Sequence, residues 1–390
     1  MSDAVERLIE LIRVPGQSCR EKEISDRIRK MLLETGVPES CIRIDDADRR
    51  SSYGGEVGNL IVDLPGQGTG SRRLLTTHMD TIATAVGSEP VVEGTRLINR
   101  ASGHSLGADA RAGCAVLLQA IAELLARGSG HPPCTFVFFV QEELGLVGSG
   151  ALEIRALGAP VPVMGFNFDG EDPAEIVNTS IGVARLYITV QGIAAHGSRP
   201  QNGISAAEIE AKAVATLADG GWHGAINRKE EKGTANLGVL HGGTMSNQVM
   251  PKLELLMEAR SFQGSFRNRI IEEWKCEFRD TVERYNRGRE EGRQAKVAFS
   301  DGPKYDPFSL DAQQPVVLAA KRAVRACGLK PELVADEGGM DTNSLVEAGV
   351  PSVGMGMGLY NAHQEDEWLE LEQFRTACRL ALFLCTDSST

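Results

Sequence analysis

Four short, nearly unbroken apolar runs constrain this chain more than any other feature. They are Asn59–Leu64, Arg73–His78, Cys134–Val140 and Val163–Phe168, with Pro351–Met355 as a later, weaker companion. None alternates apolar with polar as a half-exposed strand does, and none is long enough for a core helix. Such runs read as strands buried on both faces. Helical periodicity fills the spaces between them. Val5, Leu8, Ile9, Leu11 and Ile12 recur at helical spacing, and amphipathic helices are expected from Glu21 to about Glu34, Ala112 to Arg127, Pro315 to Cys327 and Leu371 to Leu384. Buried strands alternating with helices indicate an α/β fold: a sheet covered by helices on both sides.

The rhythm changes in the middle. Arg185–Val190 alternates, a helix follows from Ser205 to Ala218, then strands at Ala235–Leu240 and Lys252–Ala259, a charged helix at Arg269–Arg287 and a strand at Ala295–Phe299. That β-α-β-β-α-β order is ferredoxin-like. The expected organisation is therefore one α/β domain, residues 1–180 and 304–390, interrupted by an α+β insert at 181–303.

Composition bears on partners. The 390 residues carry 41 lysines and arginines against 53 aspartates and glutamates, a net charge of −12. An acidic surface repels phosphate backbones and anionic lipid heads, which argues against nucleic acid and membrane partners. No apolar stretch reaches the roughly 20 residues of a membrane helix. The first residues, Met1 to Glu6, lack the basic and apolar regions of a secretory signal. Eight cysteines are scattered without a C-x-x-C pair. They read as reduced thiols of a cytoplasmic protein, with Cys378 and Cys385 on one face of a helix as core.

The chemistry is concentrated where the strands end. One run closes on His78-Met79-Asp80, another is followed by Glu142-Glu143, a third by Asp169, and the last apolar segment by His363. Asp109 precedes the helix at Ala112. Sites in α/β sheets form at the carboxyl ends of strands. Taken singly, His78 could be a core histidine and Asp109 a helix cap. Together, several carboxylates converging at a buried edge call for a divalent cation, since unpaired buried charge is costly. Two histidines with three carboxylates suit Zn²⁺, Mn²⁺ or Co²⁺ better than Ca²⁺.

These residues resemble the M20 metallopeptidases. The matching segments are T-H-M-D-T (77–81), L-G-A-D-A-R-A-G (106–113), Q-E-E-L-G-L-V-G-S (141–149), F-D-G (168–170), A-A-H-G-S-R-P-Q-N-G (194–203), G-G-T-M-S-N-Q-V-M-P (242–251), E-A-R-S (258–261), G-G-M-D-T-N (338–343) and N-A-H-Q-E-D-E (361–367). The likeness spans nearly the whole chain and is strongest to the peptidase T-like branch. It implies a zinc-exopeptidase-like catalytic domain with a mixed sheet, and an inserted lid that also makes a homodimer. It implies two divalent ions, zinc first, with Mn²⁺ or Co²⁺ possible. His78 and Asp169 would hold one ion, Glu143 and His363 the other, and Asp109 would bridge. Asp80 would orient His78, and Glu142 would be the general base. His196, from the neighbouring subunit, would stabilise the oxyanion, and Asn247 and Arg260 would hold a substrate carboxylate. The implied reaction is cleavage of a peptide bond in a small peptide, as in a peptidase T-like aminopeptidase or tripeptidase. N-acyl-amino-acid deacylation or carboxypeptidase action on the same machinery is the alternative.

Two readings of other classes compete. Gly103–Gly107 is a literal G-x-S-x-G around Ser105, the elbow of serine α/β-hydrolases, but the run before it, Arg96–Arg100, is too short and polar for the strand an elbow needs. A non-catalytic metal-binding scaffold would be expected to have lost the base or a ligand, and Glu142 and all five ligands are present. His104, His131, His223 and His241 sit in Gly/Pro/Ser-rich loops and are expected to be solvated.

Overall fold

A computed structural model describes residues 2–128 and 130–387. The chain divides into two compact units, one running up to Ser180 and resuming at Phe308, the other Ile181–Pro307.

The first unit is built on a nine-stranded mixed sheet. Its order is Ile42–Ile44, Leu60–Leu64, Cys134–Phe139, Arg73–His78, Met164–Gly170, Ser352–Gly356, Glu175–Ser180 and Phe308–Ser309, with Glu332–Asp336 also paired to Glu175–Ser180. The four central strands, Cys134–Phe139, Arg73–His78, Met164–Gly170 and Ser352–Gly356, are mutually parallel. Their carboxyl ends therefore share one edge of the sheet.

The unbroken apolar runs are explained by what covers each face. Leu60, Val62, Leu75, Phe136, Phe138, Phe166 and Phe168 point into one large core, packed with the helices Ser2–Arg13, Ala108–Arg127, Pro315–Ala326 and Leu371–Thr386. Their sequence neighbours Ile61, Leu74, Val137 and Phe139 point the other way, into a second core with Leu152, Leu157, Leu345 and Val350. Successive side chains on a strand alternate faces, so burial on both sides removes any polar alternation. Cys378 and Cys385 are in the first core, and all eight cysteines are free thiols. Among the described residues no helix is long and apolar enough to cross a membrane.

Arg96–Asn99 is a strand, but in a separate four-stranded sheet with Pro90–Glu93, Trp368–Glu370 and Leu359–Tyr360. Ser105 thus follows no strand of the main sheet, and it is buried with an unpartnered hydroxyl. The elbow geometry does not exist here.

The second unit has the expected ferredoxin-like order with one addition. A strand at Gly224–Arg228 forms a tight hairpin with Glu231–Gly242. The five strands order as Gly224–Arg228, Glu231–Gly242, Lys252–Ser261, Gly182–Gln191 and Lys296–Tyr305. The helices Ala206–Asp219 and Gly264–Asn286 share a core with the sheet through Ile209, Ala213, Phe266, Ile270, Trp274 and Phe278. The last strand continues to Tyr305 rather than stopping at Phe299, carrying the unit past the expected end at 303.

Gly113 shows how closely the helix Ala108–Arg127 is drawn onto the sheet. A Cβ there would lie 2.1 Å from Thr77 Oγ1 and 2.3 Å from the Phe168 carbonyl oxygen. Gly113→Ala should lower stability by about 1–3 kcal/mol through overpacking. An unchanged denaturant midpoint would contradict this close approach.

Candidate active site

His78 ends its strand almost fully buried. Its Nδ1 lies 3.0 Å from the main-chain oxygen of Asp80 and 3.4 Å from the Asp80 carboxylate. An acceptor there fixes the proton on Nδ1, which leaves the Nε2 lone pair directed outward. Nε2 faces two carboxylate oxygens at once, Asp109 Oδ1 at 3.2 Å and Asp169 Oδ1 at 3.3 Å. Asp109 lies at an irregular start of its helix, where the Asp109–Ala110 peptide is cis. Its other oxygen, Oδ2, is 3.1 Å from His363 Nε2, and Glu143 Oε1 is 2.9 Å from the same nitrogen. Two donor sets therefore share Asp109, one with His78 and Asp169, the other with Glu143 and His363.

The spacing tests whether metal ions fit. Two ligand atoms each about 2.1 Å from one ion, subtending an angle of about 90–110°, lie about 3.0–3.4 Å from each other. The observed separations of 3.2, 3.3 and 3.1 Å fall in that range, and the fourth, 2.9 Å, lies just below it. One imidazole nitrogen placed almost equally from two carboxylate oxygens is poor hydrogen-bond geometry and good coordination geometry. The mixed nitrogen and oxygen donors suit zinc-like ions. The donor set fits two divalent cations.

Without them the charges are poorly matched. Burial pushes Glu143 up to about 7 and Asp169 up to about 6. Burial, with Asp169, Asp341 and Glu143 adding to it, holds Glu142 well above the usual carboxylate range against the pull of His78. Burial opposes charge on His78, but Asp169, Asp109 and Asp80 outweigh it and hold the imidazole well above its ordinary value. Hydrogen bonds to Asp109 and then Glu143 raise His363 to about 10.

The comparisons with known proteins bear on this constellation. The sequence profile of peptidase family M20/M25/M40 matches residues 74–386. The chain belongs to that family. It is 28% identical over 388 residues to the Bacillus subtilis protein YqjE, covering 99% of this chain and 98% of that one. Its fold matches the aminopeptidase PepT from Bacillus cereus with a TM-score of 0.79 at 29% identity, over 98% and 97% of the two chains. It also matches a tripeptidase from Staphylococcus aureus with a TM-score of 0.84 at 25% identity, again over 98% and 97%. The protein is accordingly a metal-dependent hydrolase of peptide bonds.

In this M20 enzyme Asp80 does more than face His78. Its carboxylate accepts the Glu142 N–H at 3.0 Å, the Glu143 N–H at 3.2 Å and the Ser18 hydroxyl at 2.7 Å. The shorter contact of His78 Nδ1 is to the Asp80 carbonyl, so the carboxylate chiefly braces the turn that carries the adjacent pair of glutamates.

Sequence reasoning missed three acids. Glu367, 2% exposed, accepts the N–H groups of Gly107, Ala108 and Asp109 at 3.0, 2.7 and 3.2 Å. It thereby ties the loop of His363 to the backbone of Asp109. Asp341 is fully buried beside Ser149 without a well-formed hydrogen bond, and burial lifts it to about 7. Both lie in the quoted motif segments, which was the available signal. Glu21 is buried too, and had none beyond opening a helix. His131 corrects another expectation: it is buried, with Nδ1 2.7 Å from the Pro132 carbonyl.

The remaining candidates lie in the second unit. His196 is exposed, and its Nδ1 accepts the Ser198 N–H at 3.2 Å and contacts Ser198 Oγ at 2.7 Å. That fixes the neutral imidazole's proton on Nε2, a donor facing outward. Asn247 adjoins it, its carbonyl accepting the Gly197 N–H. Arg260 is not with them. It pairs with Glu258 at 2.7 Å, opposite Val183 at the far end of the antiparallel ladder that begins at Lys252–Gln191. Eight strand residues span about 27 Å.

The ion-free protein should lose thermal stability as pH rises from about 5 to about 8. Glu143, Asp169, Asp341 and Glu367 (itself raised to about 7 by burial) all sit above their unfolded values near 4. Raised carboxyls favour folding while protonated, and that contribution disappears as pH passes about 6–7. His363, raised to about 10, works in the same direction. Melting scans in chelator should show the fall, and saturating Zn²⁺ should abolish it. A melting temperature that rises with pH in chelator would contradict the assigned charge balance.

Proposed function

We propose that the protein is a peptidase T-like aminopeptidase of small peptides, holding two divalent ions, zinc foremost. His78 and Asp169 would hold one ion and Glu143 and His363 the other, with Asp109 shared between the two donor sets. Mn²⁺ or Co²⁺ would suit the same donors. Ions held there would supply Lewis acidity for the scissile carbonyl and would lower the pKa of a water towards about 7. Glu142 takes the proton of the attacking water and delivers it to the leaving amine as the C–N bond breaks. The outward Nε2–H of His196 donates to the oxyanion that develops on the carbonyl oxygen. Arg260 of one copy and Asn247 of a second, which adjoins His196, would meet the substrate carboxylate.

The observation that carries the aminopeptidase reading is the cavity itself. It measures about 540 Å³ and is lined by the five ligands and Glu142, together with Glu171, Glu175 and Asp336. Among the described residues lining it there is no lysine or arginine. With the ligand charges met by the two ions, Glu171, Glu175 and Asp336 remain to attract a peptide's ammonium end and to disfavour the carboxylate of an N-acyl amino acid. The named activities of the Bacillus cereus and Staphylococcus aureus relatives point the same way.

The homodimer through the inserted unit rests on two features of that unit. Beyond its hairpin with Gly224–Arg228, the strand Glu231–Gly242 has no outer partner over residues 236–242 among the described residues. That edge carries exposed Val239 and Leu240, with exposed Met245 just beyond it. An open apolar edge is a template for a second copy. Arg260 stands at one end of the ladder and His196 lies beyond the other, bridged to Gln248, so the two would meet one small peptide from different copies. Two copies can supply one each. A cytoplasmic location accords with the eight free thiols.

Assays with matched tripeptides test the reading. Peptides with a free amino end should be cleaved in a chelator-sensitive way, and their N-acetylated counterparts at least about tenfold more slowly, as loss of one charge-assisted contact predicts. Faster hydrolysis of N-acyl amino acids would favour the deacylase instead. Glu142→Ala should keep both ions and lose about 10²–10⁴-fold in kcat. Near-normal turnover in that variant would remove Glu142 from its role.

A further inference from the structure

The stretch Gly16–Glu21 lies outside the residues matched by the family profile, yet it is bonded to three segments of the site. Thr81 N–H donates to the Gly16 carbonyl at 3.1 Å, and Ser18 N–H donates to the Thr81 carbonyl at 3.2 Å. Arg111, two residues after Asp109, reaches the Gly16 carbonyl at 3.4 Å. The approach is close: a Cβ on Gly16 would meet Arg111 Nη2 at 2.6 Å. Cys19 turns the chain with a φ of +70°. Glu21, 0% exposed, then folds back, and its Oε1 accepts the N–H of Cys19 at 2.8 Å and of Gln141 at 3.2 Å.

Those last contacts fall on a vulnerable place. Gln141 is a non-glycine residue in the left-handed region, φ +55°. Such a residue costs about 1–3 kcal/mol and persists only where its surroundings over-determine it. Here Glu21 holds its N–H, while Ser51 Oγ and the Gly54 carbonyl hold its side chain at 2.6 and 2.7 Å. One residue later the Glu142 and Glu143 amides hang on the Asp80 carboxylate, and the shortest bond to that carboxylate is from Ser18 Oγ. The turn is thus gripped at two points by one short segment of the amino-terminal region.

We propose that Ser18 and Glu21 are positioning residues that aim Glu142 and Glu143 by clamping the Gln141–Glu143 turn, Ser18 through Asp80 and Glu21 through the Gln141 amide. The inference rests on the reading of Glu142 as base and Glu143 as ligand. Ser18 supplies a hydroxyl donor and Glu21 a carbonyl-type acceptor, so neither function requires charge. Removing either leaves the ligand and the base in the chain but lets the turn relax, and outer contacts of this kind are worth about 10–100-fold in metal affinity or activity.

The test uses the full chain stripped of ions, with Zn²⁺ titrated calorimetrically and kcat and KM measured on a tripeptide. Ser18→Ala and Glu21→Ala should each weaken one of two binding events by about 10–100-fold and lower kcat with KM little changed. Ser18→Thr and Glu21→Gln should restore both, which a loss of bulk stability or charge would not explain. Alanine variants with two wild-type affinities and wild-type kcat would overturn the proposal, as would conservative variants no better than alanine. Should Glu21→Ala fail to fold, the half-exposed Ser18 pair decides alone. Failure of the underlying reading looks different: the wild-type chain would then bind no pair of ions.

Discussion

The structure is governed by negative charge gathered at the carboxyl edge of a buried parallel sheet. Asp80, Asp109, Glu142, Glu143, Asp169, Asp341 and Glu367 all lie at or behind that edge, in surroundings that disfavour ionised groups. Hydrogen-bond donors meet part of the cost. Asp80 receives two amides and a hydroxyl, and stays below the ordinary carboxylate range because those bonds and His78 outweigh its burial. Glu367 receives three amides, and still titrates high because burial dominates. The carboxylates facing the cavity have no comparable set of donors. Divalent cations can supply that compensation, and the grouping of these carboxylates with His78 and His363 is suited to bind two.

This division also separates ligands from supports. A group already saturated with amide donors has few lone pairs left for an ion, so Asp80 and Glu367 brace the backbone of Glu142–Glu143 and of Asp109. A group whose oxygens face a histidine nitrogen at about 3 Å and little else is a ligand candidate. Hydrogen-bond bookkeeping therefore sorts the acids into two roles that a list of acidic residues does not distinguish.

The sequence revealed much of this, for definite reasons. The central strands were legible because burial on both faces erases alternation, and the residues that gather at the cavity because His78, Glu143, Asp169 and His363 follow apolar runs while Asp109 opens a helix. What escaped was tertiary. Glu367 lies beside exposed Glu365 and Asp366, and only the folding of its loop against Gly107–Asp109 buries it. Glu21 precedes exposed Glu23 at the start of one helix, and nothing local tells which will turn inward. The strand Gly224–Arg228 is short and mostly exposed, so it carries no periodic apolar signal; it exists because Glu231–Ala235 offers an edge. His131, followed by two prolines, looked like a loop residue, and it is one, but its loop lies against the protein.

The adjacency of Glu142 and Glu143 poses a geometric problem that regular structure cannot solve. Neighbours on a strand point to opposite faces, and neighbours on a helix diverge by about 100°. Two consecutive carboxylates serving one cavity require something else. The chain uses a single 3-10 turn, Glu142–Leu144, entered through Gln141 at φ +55° and left through Gly145 at +105° and Leu146 at +60°. Both amides of the pair converge on one carboxylate, Asp80, on one side of the turn. Both side chains are thereby directed to the other side, where each lines the cavity. A turn with two non-glycine residues, Gln141 and Leu146, in the left-handed region is expensive in isolation. It holds because the buried acceptors Asp80 and Glu21 take up its amides, so the buried charge at this edge also shapes the backbone that presents Glu142 and Glu143 to the cavity.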